Sequence, residues 1–323
     1  MREALFIKKN KDRWLKSQHM PSDDPDETAI EFTQLVDDLS YAKTFYPHSR
    51  VTSFLNARAS QTYMSIYQNR REERNRLTEF WKYTVPLTVR KHHNVLLFCA
   101  VLFIVFFMVG FYSSKHDESF VRQMLGDGYV NMTEENIEKG KPFGVYAEGG
   151  ELMMWLGIML NNIYVSFTYF AQGIIFCFLT VLSLLTEGVR LGAFEQIFFA
   201  KGLGLQSILT VFIHGTLELS AIVIAGAAGI VLGKGWMFPG TGKRLHAFVL
   251  GAKEGVIILM SLIPVFIVAA FFEGFITRYY NMPQWLSGFI LLASASYIIW
   301  YYIIYPLQVQ KKLKATGEKF LSE

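Results

Sequence analysis

The sequence predicts an all-α polytopic membrane protein, and three observations carry that prediction. Hydrophobic residues make up 52% of the 323 residues, and they are bunched into runs rather than spaced at a strand or surface-helix period. Residues 95–112, VLLFCAVLFIVFFMVGFY, contain no charge. At about 1.5 Å per helical residue they are long enough to cross about 30 Å of hydrocarbon. Residues 163–185 and 285–305 are spans of the same kind. No apolar run precedes Val95, so targeting is expected to use internal spans rather than a cleaved signal peptide. Cys99 and Cys177 fall in apolar spans and are expected to be small buried hydrophobes.

The first element is a helical arm, residues 1–93. SDDPDETAIEFTQLVDDL opens with capping residues, a first-turn Pro25 and early acids, all of which suit a helix N-terminus. Ile30, Leu35, Val36 and Leu39 give it an apolar stripe. After Pro47 a second helix is expected from near Ser49, packing through Val51, Phe54, Leu55, Tyr63, Ile66 and Tyr67. NRREERNRLTEF mixes acids with arginines, which reads as a solvated helix face and argues against nucleic acid as a partner.

Arg90, Lys91, His92 and His93 end abruptly at the first span. Basic flanks stay in the cytoplasm, so the arm is expected there. Residues 113–162 then form an external loop with an acidic excess, and Asn131-Met-Thr133 spells a glycosylation acceptor that only a eukaryotic secretory route would use. The next span returns the chain at TEGVRLGAFEQIFFAKG, placing Arg190 and Lys201 inside. As one helix, 203–233 would run about 46 Å, well beyond the hydrocarbon core. A single crossing would also move the later basic loops outside. The expectation is therefore a re-entrant hairpin broken at His214-Gly215. An interfacial helix over 245–255 and spans over 256–272 and 285–305 would follow. This gives about four full spans plus the hairpin, a membrane domain over 94–310 and a basic cytoplasmic tail over 311–323. The even-crossing layout is preferred to a five-span one because it keeps every basic cluster on one side.

The residues that could carry chemistry sit in these spans. His214 and Glu218 are one helical turn apart and share a face with Ala221, Ala225 and Gly229, and Gly233 extends the small-residue ladder. Such ladders let membrane helices approach closely, so the polar pair is expected to face a neighbouring helix. Glutamate–glycine pairs recur at Glu187-Gly188, Glu254-Gly255 and Glu273-Gly274, with Arg190, Arg244, Lys253 and Arg278 as available cations. They read either as a packing network or as a polar path for protons or a small solute. A tetrahedral zinc needs three or four ligands, and H-x-x-x-E supplies two, so no metal is expected. PGTGKR, holding Pro239, Gly240 and Arg244, lacks the Ser/Thr and preceding strand of a phosphate loop and reads as a cytoplasmic turn. Hydrolase motifs are absent.

NNIYVSF at Asn161 and Asn162, running to QGI at Ile174, EGVRLGAF, HGTLELSAIVIAGAAG, PGTGKR and AAFFEGFITR occur in an order that resembles the stage II sporulation protein M-like family. Trp14 in NKDRWLK and the YAKTFYP segment extend the resemblance to the arm. Glu187 departs from it, since members tend to have asparagine before that glycine. The resemblance implies a non-enzymatic scaffold or assembly subunit for cell-envelope remodelling, which recruits peptidoglycan-degrading partners without cutting the wall itself. The alternative is a permease-like component with His214, Glu218 and Glu273 along its path. Expected partners are the bilayer, other membrane or envelope proteins, and further copies of the chain. No cofactor and no catalytic residue is expected. The expected location is the inner (cytoplasmic) membrane, with both termini inside.

Overall fold

The computed structural model describes residues 2–19, 25–67, 76–144, 150–277 and 282–316, and every regular element among them is helical. The chain divides into two compact units, Met1–Arg76 and Leu77–Glu323. The boundary falls before the basic cluster at 90–93, so residues 77–93 fold with the membrane unit.

The first unit holds α1 (Glu3–His19), α2 (Pro25–Phe45) and α3 (Arg50–Tyr67). Phe6, Trp14, Leu35, Ala42, Val51 and Leu55 make its core. The buried indole N–H of Trp14 donates to Asp38 at 2.7 Å, and Asp38 also pairs with Arg13, so the one polar atom of a core aromatic is satisfied. Of the expected apolar stripe, Leu35 and Leu39 pack in this core while Ile30 and Val36 stay exposed. Most of NRREERNRLTEF lies outside the described residues.

In the second unit α4 (Arg76–Glu79), which straddles the division, passes through a π-helical turn at Phe80–Thr84 into α5 (Val85–Lys91). The bundle then comprises α6 (His93–His116), α9 (Glu151–Gln172), α10 (Phe178–Ala200), α11 (Gly204–Met237), α12 (Arg244–Phe271) and α13 (Gln284–Ile299). A second π-helical turn, Phe272–Thr277, extends α12, and a third, Trp300–Ile304, joins α13 to α14 (Tyr305–Thr316). Short α7 (Glu118–Leu125) and α8 (Asp127–Glu138) lie between α6 and α9. Among the described residues, four helical stretches are long and apolar enough to cross a membrane: His93–His116, Gly204–Met237, Arg244–Thr277 and Gln284–Ala315. The chain is an all-α polytopic membrane protein.

Three expectations about the path are corrected. Residues 203–233 are not a hairpin: α11 runs unbroken through His214-Gly215. Its length exceeds the hydrocarbon core because its first turns are covered by protein. Val211 packs with Val121, Val130, Phe143 and Phe198 beneath α7 and α8. Conversely, 163–185 is not one span. The chain reverses at 173–177, where Phe176 and Cys177 both adopt positive φ (48° and 60°), so α9 and α10 are separate helices. Likewise 245–255 is the start of α12 rather than a separate interfacial helix.

Close backbone contacts give the directions. A Cβ on Gly188 would lie 2.9 Å from the Phe103 carbonyl oxygen, and one on Gly192 would lie 2.1 Å from that of Phe107. The positions advance together, so α6 and α10 are parallel. Gly229 meets Tyr169 and Gly233 meets Gly173, so α9 and α11 are parallel too. Gly235 against Ala247 and Gly255 against Ala228 make α11 and α12 antiparallel. At one end of the bundle Arg90 donates to Gln310 at 2.9 Å, and Lys91 and His92 both meet Glu254, at 2.5 and 2.7 Å. At the other end Phe143 stacks on Phe198 with ring centroids 5.2 Å apart, closing α7 and α8 over the junction of α10 and α11. Lys201 lies in that junction, so it sits with the acidic segment and not with the basic end. Arg190 lies within α10 rather than in a loop, with its side chain exposed.

Candidate functional site

The glycine ladder explains how ionisable groups come together inside the bundle. Ala221, Ala225, Gly229 and Gly233 are all buried on α11, and the last two let α9 approach until backbones touch. About three to five turns before those two glycines on α11, the i, i+4 spacing of His214 and Glu218 turns both toward the same neighbours. The π-helical turn after α12 brings Glu273 and Thr277 to meet them. Ligand-type atoms of His214, Glu218 and Glu273 all lie within 4.8 Å of one another.

Hydrogen bonds fix the histidine. The Thr277 hydroxyl donates to the Phe272 carbonyl at 3.1 Å, so its oxygen accepts from His214 Nδ1–H at 3.0 Å. The lone pair of the neutral ring is then on Nε2. Asn162, only 4% exposed, sits against Glu218, yet its Nδ2 has no full hydrogen bond. Glu187 is within electrostatic range of both Glu218 and Arg190. The described part of the site therefore holds three carboxylates against one guanidinium.

The other expected residues fall around this cluster. Asn161 is exposed beside the buried Asn162. Gly188 packs on α6, and Gly274 packs on Trp155, whose indole donates to the Ile267 carbonyl at 3.2 Å. Gly215 is buried, and a Cβ there would meet only Leu219, at 3.7 Å. It helps line a groove of about 720 Å³ bounded by α6, α11 and α13, whose polar end is Arg90, His93 and Asn94. Pro239 and Gly240 lie in the turn before α12, with Gly240 at φ +63°, and Arg244 is exposed at the start of α12. Arg278 lies outside the described residues.

The expectation of no metal rested on a count of two ligands; the fold supplies a third, Glu273, from 55 residues beyond Glu218. The sequence reading also missed Glu195. It is 1% exposed on α10, and both of its carboxylate oxygens are buried without a hydrogen-bond partner. The apolar run around Glu195 was the available signal, masked by assigning that stretch to a cytoplasmic loop.

A family model described as Stage II sporulation protein M matches residues 99–278, from the first span through the π-helical turn that carries Glu273 and Thr277. The chain belongs to that family. The matched segment holds every member of the buried cluster described above, so the stage II sporulation protein M core and the candidate site coincide. A second model, a domain of unknown function, matches residues 4–68, which fall within the separate N-terminal unit. No curated protein and no solved structure matches the chain.

Proposed function

We propose that this member of the stage II sporulation protein M family is a non-enzymatic assembly subunit for cell-envelope remodelling. In this reading it is held in the cytoplasmic membrane by its bundle and presents its N-terminal unit to partners on the cytoplasmic side. One observation carries the reading: the N-terminal unit has its own core yet leaves Leu5, Ile30, Phe45 and Met64 more than half exposed. Large apolar side chains displayed by a separately folded unit suit protein docking. The basic end of the bundle, with Arg90, Lys91, Lys234, Lys243, Arg244 and Lys312, supports the cytoplasmic placement of both termini.

A second reading has its own observation. Carboxylates are costly inside a bilayer and mark solute or proton paths, and the His214–Glu218–Glu273 cluster supports a permease-like component. In-cell crosslinking of the intact protein, with mass-spectrometric identification of partners, separates the two. The assembly reading expects envelope-remodelling proteins among the crosslinks. It expects capture to persist in Glu218→Gln and to fail when residues 1–76 are deleted and the bundle still reaches the membrane. Unchanged capture without residues 1–76 sinks the docking role. A growth defect in Glu218→Gln with capture intact would favour the permease.

A further inference from the structure

We propose that His214, Glu218 and Glu273 bind one divalent transition-metal ion within the bundle, zinc being the ion the donor set fits best. The site stands apart from the docking role of the N-terminal unit and is tested separately from it.

The three donors come from two helices that are held rigidly together. Two sit one turn apart on α11, and the third is set by the π-helical turn after α12. Such widened turns are frequent where a helix serves a functional site. The donor atoms span at most 4.8 Å. A tetrahedral zinc site with bonds near 2.0–2.1 Å needs ligand atoms about 3.3 Å apart. The inward movement required is about 1–1.5 Å, within reach of carboxylate rotation about the Glu side-chain torsions. His214 is already oriented: Thr277 holds its ring through a hydrogen bond at Nδ1, so an ion would be taken at Nε2. Holding a metal-ligating imidazole by a hydrogen bond to its other nitrogen is the usual role of such outer partners.

Asn162 supplies an independent observation. It is 4% exposed, and its buried Nδ2 faces Glu218 without completing a hydrogen bond of full geometry. Buried donors are rarely left unpaired. Three protein ligands leave the fourth zinc position for a water or hydroxide, whose oxygen is an acceptor for that N–H.

Charge points the same way. Among the described residues no ion pair forms at Glu218 or Glu273, and the nearby Glu187 adds a third carboxylate against Arg190 alone. A divalent cation neutralises two carboxylates in a medium where unpaired charge is costly. An imidazole among the donors favours zinc or a neighbouring transition ion over magnesium or calcium, which take oxygen sets.

The test uses the full chain with a tag free of histidine, expressed with added zinc and purified in detergent. Metal content is measured by mass spectrometry for the parent, Glu218→Gln, Glu273→Gln and a control, Glu195→Gln. The parent and the control are expected to hold about one zinc per chain. The two site variants should hold at least about tenfold less while eluting as folded protein. If the site variants aggregate, the parent decides alone. Its melting temperature should fall with 1,10-phenanthroline and return on zinc addition, and cobalt loading should give a tetrahedral absorption band. A folded parent with under about a tenth of an ion per chain after loading with zinc, cobalt or manganese overturns the site. Metal retained equally in both glutamine variants overturns it as well.

Discussion

The carboxylate of Asp117 accepts the backbone N–H of Ser119 at 2.9 Å and its hydroxyl at 2.7 Å, capping α7. Those hydrogen bonds hold the Asp117 carboxyl below its usual range. Because the folded pKa is depressed, the cap's contribution is present above the unfolded value and lost as pH falls through the folded one. Amide exchange in α7, corrected for intrinsic rates, should therefore accelerate on acidification below the ordinary carboxylate range. Asp117→Asn, which caps without titrating, should remove that dependence, and an unchanged acid profile in the variant would refute the assignment. Gly229 is a second position where one atom decides. A Cβ there would lie 2.4 Å from the Tyr169 carbonyl oxygen, so Gly229→Ala should destabilise the bundle by about 1–3 kcal/mol, read as a lower melting temperature in detergent. The ladder holding Gly229 was legible because its four-residue spacing is local. Its partner helix was not, because Tyr169 and Gly229 are 60 positions apart in the chain. Glu273 joined His214 and Glu218 for the same reason: spacing shows which side chains share a helix face, not which faces meet.

Helix identity was legible at the level of elements, but two breaks were misplaced, and each error has a local cause. The reversal at 173–177 uses Phe176 and Cys177 in the left-handed region, residues that carry no turn signal. Gly215 reads as a break because glycine is a poor helix former and because a single α11 is longer than the hydrocarbon core is thick. The contact of Val211 with the cluster under α7 and α8 removes that objection. The two errors cancel in parity: the hairpin withdrawn from 203–233 reappears as α9 and α10, so the loops holding Lys243 and Lys312 stay at the end of the bundle that holds Arg90 and Lys91. A continuous α11 makes a definite prediction at Gly215. With only Leu219 near an added Cβ, at 3.7 Å, Gly215→Ala should be neutral or stabilise by up to about 1 kcal/mol through helix propensity. A loss of several degrees in melting temperature would instead mark a real break there.

Across the whole molecule, the contacts sort the loops into two ends, and Lys201 separates the two accounts of the path. Sequence hydropathy put it with the basic loops, because 163–185 read as one span and the next residues had to emerge on the cytoplasmic side. The packing of Phe198 on Phe143 puts the α10–α11 junction with the acidic cap instead. The move transfers one positive charge to the acidic end, yet Lys243, Arg244 and Lys312 still gather opposite Asp117, Glu118 and Glu134. Single-cysteine variants in a background lacking Cys99 and Cys177 test this in intact cells with a membrane-impermeant maleimide. Lys139→Cys and Lys201→Cys should label from outside, whereas Lys243→Cys and Lys312→Cys should label only after the membrane is opened. Lys201→Cys labelling with the latter pair would restore a single crossing between 163 and 185. It would also break the parallel pairing of α6 with α10 on which the buried cluster depends. Labelling of Lys201→Cys with Lys139→Cys places His214 one helical turn below a protein cap on the external side, so the cluster would be reached from that face of the membrane.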